Sequence, residues 1–580
     1  MDFKESHLGE VKAGQDWWAS TKKNRWQRWT TVGWTAKNPS LYFVPLAEEE
    51  QLRLICAPFE YKGAPTQSLT ALLNGHEIGK ERLDRGYHEI RIPLPEEKKV
   101  PGINRIELRF AHSRSRTAAG LAKDRRQRAA SCEVVEVQPL SPLLTPAPPL
   151  ASKGNEGRPQ TTQRPHVFIY LIDTLRADAL ALYGAARPTS PRIAEFARDS
   201  VLFQRGWSSS AWTMPSTMSL LTGLLPSRHG YLQPGSKPAD PSSVQRLSEI
   251  LKSDGYETLA VSQSYVVNET HDFDRGFETF YLADALSRGT AESADIPWFL
   301  GHYLTHRANY RPLFAFLHTV DPHQPYSPRG ADAQFAHDNP GSLAEWKYQP
   351  DYFNKRELIS EPEEIRHMRA RYDGEVLGAD RGFGAFVDLI RAAGLYDNSL
   401  IVLIADHGEE FGEHGAFGHG HSLYEEMVHI PFLIKFPEQR EAGTVVEARV
   451  NLIDILPTIL EIAAVDFDLS SLDGQSLATA GSLDAERVAI SEVLTRSVRL
   501  RALAAGDLKC IYDELASTVQ IFDLASDPAE KHPLPPDHAS AKTCQALSQE
   551  HLNVDAFSSV AETELDDEAR ERLRALGYIN

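Results

Sequence analysis

An α/β region with parallel strands, preceded by a separate all-β sandwich, is the architecture this sequence predicts. Three observations predict it. The apolar runs 167–171 and 401–405 each lead directly to a carboxylate, Asp173 and Asp406. The second carboxylate is followed by an imidazole, His407, at the strand end where parallel α/β sheets place ligands. Residues 1–138 instead carry short runs of alternating apolar and polar residues, the pattern of half-buried strands.

In the N-terminal region the runs LRLI, LTALL, HEIRIPL, INRIELRF and CEVVEV recur. Ile106, Leu108 and Phe110 share one face, with Arg105, Glu107 and Arg109 on the other. Asn74-Gly75 is a hairpin signal, because both residues tolerate positive φ. Several such strands predict a β-sandwich or jelly roll over 1–138. Trp17, Trp18, Trp26, Trp29 and Trp34 fall in its first part; they read as buried sandwich packing or as a sugar-stacking platform. Residues 139–165, PLSPLLTPAPPLASKGNEGRPQTTQRP, form a Pro-rich linker.

The catalytic region is expected over 166–480. Asp173 and Asp406 share one context, an acid beyond a hydrophobic strand, so two carboxylates and a histidine can meet at one cation. A capping role for the Asp-His pair is the alternative. His414, His419 and His421 follow among Gly and Glu, a composition suited to a divalent cation with mixed oxygen and nitrogen ligands. In 212–223, WTMPSTMSLLTG, a turn leads into a helix-like run with Pro215 in its first turn and Ser216 as N-cap. A hydroxyl at such an N-terminus stands near N–H groups that favour phosphate or sulfate. It could serve as a nucleophile or be a turn residue.

The segments LIDTLRAD, RPTSPRIAEFARDSVLF, SLLTGLLPSRHG, FDRGFETF, HTVDPHQPY, YDGEVLGADRGFG, ADHGEEFG and GHGHSLYEEMVHIPFLIKFP stand in one order over about residues 165–465. In them the chain resembles the sulfatase-like branch of the alkaline phosphatase superfamily. The resemblance implies a doubly wound α/β sheet with a metal site at the strand ends and a small C-terminal antiparallel sheet. It implies one metal site formed by Asp173, Thr213, Asp406 and His407, with Thr213 as covalent carrier. It places His323 and His419 on the substrate, with His421 a rival to His419 as the acid that protonates the leaving oxygen. His318, Asp321, Glu409 and Glu410 are supporting candidates.

The chain departs from the sulfatase pattern at the nucleophile. Sulfatases carry Cys-x-Pro-Ser-Arg, or a Ser variant, with the first residue oxidised to formylglycine. Here that position is Thr213 and the arginine position is Thr217. No cysteine lies between Cys132 and Cys510, so no formylglycine can form from cysteine in this region. A threonine there resembles phosphonate and phosphodiester hydrolases, nucleotide pyrophosphatases, lipoteichoic acid synthases and phosphoethanolamine transferases. His407 stands where calcium-binding sulfatases use Asn, and an imidazole favours Mn or Zn over Ca. The superfamily's second site needs Asp-x-x-x-His; Asp321-Pro-His323 lacks that spacing, so one divalent cation is expected.

Composition agrees. The chain has 580 residues, 42% hydrophobic, enough for two or three cores. A formal net charge of −19 argues against nucleic acid or an anionic membrane as partner. No apolar run is long enough for a transmembrane helix, and MDFKESHLGEV lacks a signal h-region. The chain as written is therefore expected to be cytoplasmic, or periplasmic or secreted if it is a mature or truncated form. Cys56 with Cys132 and Cys510 with Cys544 suit one bridge at each end or four reduced thiols.

Towards the C-terminus, 450–464 reads as strand then helix, with Pro457 near the helix start. LKCIYD and VQIFDL are short strands within a subdomain expected over 481–580. The polar stretch 526–561 reads as a mobile connection, and DDEARERLRALGY as a terminal amphipathic helix. The expected activity is metal-dependent hydrolysis of a small anionic phosphate-type ester, of carbohydrate or lipid origin. The alternatives are sulfate-ester hydrolysis, phosphoglycerol or phosphoethanolamine transfer, and an inactive glycan-binding protein. Oligomeric state stays open.

Overall fold

In a computed structural model of the protein the described residues are 164–552, together with parts of 12–139 and residues 560–562. Residues 283–292, 307–310 and 336–361 are outside them, as are the single positions 234, 239, 265, 294, 325, 327, 329 and 496. Residues 140–163 of the linker expected over 139–165, the terminal helix and the side chains of the five early tryptophans all lie outside the described residues. The chain divides into two compact units, residues 1–154 with 300–308, and 155–299 with 309–580.

In the first unit, ten strands between Lys12 and Pro139 form two five-stranded antiparallel sheets. Leu69, Ala71, Leu73, Ile106, Leu108 and Phe110 of one sheet bury against Leu52, Leu54, Ile90 and Ile92 of the other. The alternation legible in the sequence thus marks the inward faces. Asn74 and Gly75, with φ of 50° and 89°, connect strands Gln67–Leu73 and His76–Leu83. These are the positive angles that a type I′ hairpin needs. Cys56 and Cys132 are directly opposite each other on adjacent antiparallel strands.

The second unit is organised by an eight-stranded sheet. Its strands are β1 (His166–Ile172), β2 (Val201–Trp207), β3 (Glu257–Ser262), β4 (Thr279–Leu282), β5 (Leu313–Thr319), β6 (Ser399–Ala405), β7 (Phe432–Lys435) and β8 (Val445–Asn451). The spatial order is β4-β3-β5-β1-β6-β7-β2-β8. All neighbours are parallel except β7, which is antiparallel to both β6 and β2. Strands β5 and β6 are apolar along most of their length because both faces are covered, as parallel strands require.

Four helices matter for the site: α1 (Thr213–Thr222), α2 (Pro362–Ala392), α3 (Ile455–Ile462) and α4 (Ser540–His551). On α2 the buried residues Met368, Tyr372, Val376, Phe383, Phe386 and Ile390 recur at three- and four-residue spacing, one face of a helix. Phe383 and Phe386 close on Phe168 and Tyr170 of β1, with ring centroids 5.2–5.6 Å apart. Burying each large side chain contributes about 1.5–3 kcal/mol. That packing fixes the central strand whose end carries Asp173.

A small antiparallel sheet of β9 (Val488–Leu494), β10 (Arg499–Ala505), β11 (Leu508–Asp513) and β12 (Thr518–Asp523) lies in the same unit. Val493, Ala502, Ala504, Ile511 and Phe522 share a buried cluster with Trp207, Leu423 and Met427 of the larger domain.

The expectation that 526–561 is a mobile connection is corrected. Residues 540–551 are the helix α4, and Cys544 on it forms a disulfide with Cys510 on β11, Cα–Cα 5.9 Å. A polar composition misled because α4 is amphipathic with its bridge as the buried point: Cys544 is 1% exposed.

Candidate metal centre and catalytic site

Strands β5 and β6 flank β1 in parallel register, so the carboxyl ends of all three converge. Asp173 follows β1, His318 is the penultimate residue of β5, and Asp406 and His407 follow β6. All four side chains are buried, at 0–1% exposure. Among the described residues, Asp173, Asp406 and His407 form a group whose ligand atoms lie within 4.8 Å of one another.

Thr213 enters from α1. It is the first residue of that helix, with Trp212 as N-cap in extended backbone. Thr213 Oγ1 lies 3.4 Å from Asp173 Oδ1 and 3.2 Å from His407 Nε2. His407 Nε2 is 3.8 Å from Asp173 Oδ1 and 3.4 Å from Asp406 Oδ2. Ligands held about 2.0–2.2 Å from one cation stand at separations of this order. The expected N-cap at Ser216 is corrected: Ser216 lies inside the helix, and its Oγ donates back to Trp212 O at 2.7 Å. The N-cap is Trp212, four residues before Ser216, which brings the threonine into the site.

Backbone bonds decide which oxygens face the cation. Asp406 Oδ1 accepts from Thr174 N at 3.1 Å and His407 N at 2.9 Å. Thr174 reaches it in the left-handed region, φ 55°, an uncommon conformation for a β-branched residue. Tyr372 OH holds that turn by donating to Thr174 O at 2.8 Å. Asp406 Oδ2 and Asp173 Oδ2 then have no hydrogen-bond partner among the described residues. Two buried carboxylate oxygens left this way fit a divalent cation. Burial, then the neighbouring Asp406 charge, holds Asp173 well above the usual carboxylate range; burial also raises Asp406. Burial keeps His407 far below its ordinary pKa, so the imidazole is neutral, the form that ligates. Burial lowers His318 to about 4.

The histidine-rich stretch after β6 divides. His419 presents Nδ1 to Glu409 Oε1 at 2.9 Å, and Tyr326 OH donates to Glu409 Oε2 at 2.8 Å. The His419 ring lies 4.6 Å from that of His407 and 5.0 Å from that of His323, centroid to centroid. His323 thus reaches the site from the loop after β5. Burial would lower the His419 pKa, but Glu409, Asp173 and Asp406 outweigh it and raise it. A buried glutamate beside it favours the imidazolium.

The other histidines leave this cluster. His421 Nε2 pairs with Glu410 Oε2 at 2.8 Å. His414 Nδ1 pairs with Glu426 Oε1 at 2.6 Å, and its Nε2 with Glu530 O at 3.1 Å. The expectation that His414 and His421 belong to the cation cluster with Asp406 is thereby corrected. Adjacent positions on a turning loop point apart, and each found a buried acid.

The loop is pinned from three sides. Arg176 Nη1 donates to Glu409 O at 2.8 Å and to Glu413 Oε1 at 2.6 Å. Gly408 and Glu409 donate to Met427 O and Glu426 O, and a Cβ on Gly408 would meet Glu426 O at 2.0 Å. From the small sheet, buried Lys509 on β11 reaches Glu425 Oε1 at 2.9 Å and Glu530 Oε1 at 2.8 Å. Sequence reasoning missed Arg176, Tyr326, Tyr372, Lys509 and Glu530. The signal in LIDTLRAD and DPHQPY was present, but a partner up to 237 residues away cannot be read from one chain.

A buried carboxylate and imidazole cluster that could hold a metal ion stands at the carboxyl ends of a mostly parallel sheet, with a hydroxyl on a helix N-terminus, the frame of a hydrolase. The family described as Sulfatase matches residues 165–465, and the chain belongs to it, within the alkaline phosphatase superfamily of ester-hydrolysing enzymes. It is 31% identical over 381 residues to the multifunctional alkaline phosphatase superfamily protein PehA of Trinickia caryophylli, covering 51% of this chain and 73% of that one. It is 24% identical to the choline-sulfatase of Rhizobium meliloti, covering 69% and 89%. An ulvan-active sulfatase of Formosa agariphila matches at 24% identity, and 64% of its length is spanned. Among solved structures, the phosphonate monoester hydrolase of Agrobacterium radiobacter superposes with a TM-score of 0.55 at 20% identity, covering 70% of this chain and 99% of that one.

Proposed function

We propose that this protein hydrolyses phosphate-type esters, either phosphodiesters or phosphonate and phosphate monoesters, through a covalent ester on Thr213. The observation that carries the reading is Thr213 Oγ1, at the N-terminus of α1 and within 3.4 Å of both Asp173 Oδ1 and His407 Nε2. It occupies the position where sulfatases carry the residue that becomes formylglycine. Asp173, Asp406, His407 and Thr213 would hold one divalent cation, Mn or Zn rather than Ca because an imidazole is in the set. When bound, that cation supplies Lewis-acid polarisation and offsets charge on the transferred group.

The chain's own residues account for the remaining steps. The Thr213 oxygen, its proton released to solvent, forms the new bond to phosphorus as the bond to the leaving oxygen breaks. His419 commits Nδ1 to Glu409, so its Nε2 is the atom that delivers a proton to the leaving oxygen. Water then attacks phosphorus, releases the product and restores the Thr213 hydroxyl. His323 contacts the non-bridging oxygens common to all substrates, and His421 flanks the entrance on Glu410. The buried Cys510–Cys544 bridge favours an oxidising compartment, periplasmic or extracellular.

Sulfate-ester hydrolysis on the same frame is the second reading, favoured by the relatives whose names specify sulfatases. Metal analysis with a panel of p-nitrophenyl phosphate, phosphodiester, phosphonate and sulfate separates them. Faster turnover of the phosphorus esters is expected; a preference for sulfate would replace this reading with the second.

A further inference from the structure

His323 and His419 reach the site from opposite sides of β1. His323 is on the loop after β5 and His419 in the stretch after β6, and β1 separates those two strands in the sheet. Their rings nevertheless stand 5.0 Å apart, centroid to centroid. A side-chain bond bridges the two loops there. Tyr326, three residues beyond His323, donates its hydroxyl to Glu409 Oε2 at 2.8 Å, and Glu409 Oε1 holds His419 Nδ1 at 2.9 Å.

Glu409 is fully buried, and each of its carboxylate oxygens has one of these two partners. The last torsion of a glutamate is soft, so a bond to His419 alone would leave the carboxylate free to turn. A donor on the second oxygen fixes its plane, and with it the imidazole. Tyr326 is in turn held independently of any substrate. It is buried, its ring lies 5.7 Å from those of Tyr372 and Phe411, and its carbonyl accepts from Arg371 Nε on α2 at 2.6 Å. Packing accounts for the ring, whose space phenylalanine would fill equally well. The hydroxyl is the part with a separate task, since a buried phenol O–H needs a partner.

We propose that the Tyr326 hydroxyl positions the proton transfer: by fixing Glu409, it sets the direction in which His419 presents Nε2 to the leaving oxygen. The inference rests on the reading of His419 as the acid. Tyr326 acts through Glu409 and His419, so it is a positioning residue. Its loss is felt most where a proton must be delivered.

Tyr326→Phe, His419→Ala and the double variant are assayed as full chains in one Mn(II) buffer. The substrates are the alkyl and p-nitrophenyl esters of whichever phosphorus acid the parent turns over fastest. The quantity read is kcat/KM, which measures transition-state stabilisation relative to free enzyme and substrate. Tyr326→Phe keeps the ring contacts and the carbonyl, so it removes the hydroxyl alone. Its preference for the p-nitrophenyl over the alkyl ester should rise roughly 10–100-fold, because misplacement by about 1 Å costs on the order of 10²-fold. In the His419→Ala background the same substitution should leave that preference where it was, since the group it positions is gone. An unchanged preference in Tyr326→Phe beside a raised one in His419→Ala would overturn the proposal and leave the acid reading standing. So would a rise that persists in the His419→Ala background. An unchanged preference in His419→Ala itself would remove the acid reading and this inference with it.

Discussion

Thr213 Oγ1 stands 3.2 Å from His407 Nε2, although the two residues are 194 positions apart. One begins a helix and the other follows a strand, so the proposed nucleophile and the proposed ligand share a rigid support. Placing reactive groups on element ends rather than on free loops holds them within the tolerance catalysis needs.

Thr213→Ala should lose nearly all turnover yet retain metal through Asp173, Asp406 and His407. Inductively coupled plasma analysis and steady-state kinetics on one preparation check both halves. Mass spectrometry of the peptide containing WTMPST should show ordinary threonine. Substantial residual turnover in the variant would make water, not Thr213, the attacking group.

His419→Ala should slow alkyl esters far more than p-nitrophenyl esters. Nitrophenolate departs without a proton, so a general-acid contribution of roughly 10²–10⁴-fold disappears from that substrate. Glu409→Gln should show the same selectivity in weaker form, because the His419 Nδ1 partner loses its charge. His323→Ala should affect both ester types equally. Identical leaving-group dependence in the two histidine variants would end the division of labour.

Asp406→Asn should abolish metal retention while stabilising the metal-free protein by an amount on the order of 1 kcal/mol. Burial raises the Asp406 pKa, so ionising this carboxylate destabilises the metal-free fold as pH rises past its unfolded value. Asparagine keeps the Oδ1 acceptor used by Thr174 N and His407 N. Thermal melts in chelator at pH 7.5 report the sign; a lowered melting temperature would contradict it.

His229 anchors α1: Nε2 meets Pro215 O at 3.2 Å and Ser219 Oγ at 3.1 Å, while Nδ1 accepts from Tyr231 N. Burial lowers its pKa to about 3. Its contribution is therefore complete above the unfolded value of about 6.5 and is lost as pH falls towards 3, by about 1.4 kcal/mol per unit. His229→Gln should be less stable at pH 7.5 by about 1–3 kcal/mol and show a shallower acid slope. Denaturant titrations at pH 4.5, 5.5, 6.5 and 7.5 measure both; an unchanged slope would refute the assignment.

Cys544→Ser should destabilise the chain by about 2–4 kcal/mol, since the bridge closes a loop of 34 residues. Because Lys509 adjoins Cys510 and grips Glu425 and Glu530, the variant should also lose activity on heating before the sheet unfolds. Activity and circular dichroism followed on one thermal ramp resolve the two events.

Local pattern determined much of this protein. Apolar runs ending on Asp173 and Asp406 located β1 and β6, because a strand buried on both faces must be apolar and stops where a charge appears. Period-two alternation marked the inward faces of Leu108 and Phe110. The threonine in place of the usual nucleophile could be read directly. Only the tertiary structure decided which histidine of the loop after β6 lies beside His407. His414, His419 and His421 lie within eight residues on one loop, yet they pair with Glu426, Glu409 and Glu410 respectively. Those choices follow from side-chain direction and from braces distant in sequence, Arg176 and Tyr326 in loops and Lys509 on β11. Spacing along the chain carries neither. The same holds for α4, whose stability comes from packing and a disulfide rather than from its own polar sequence.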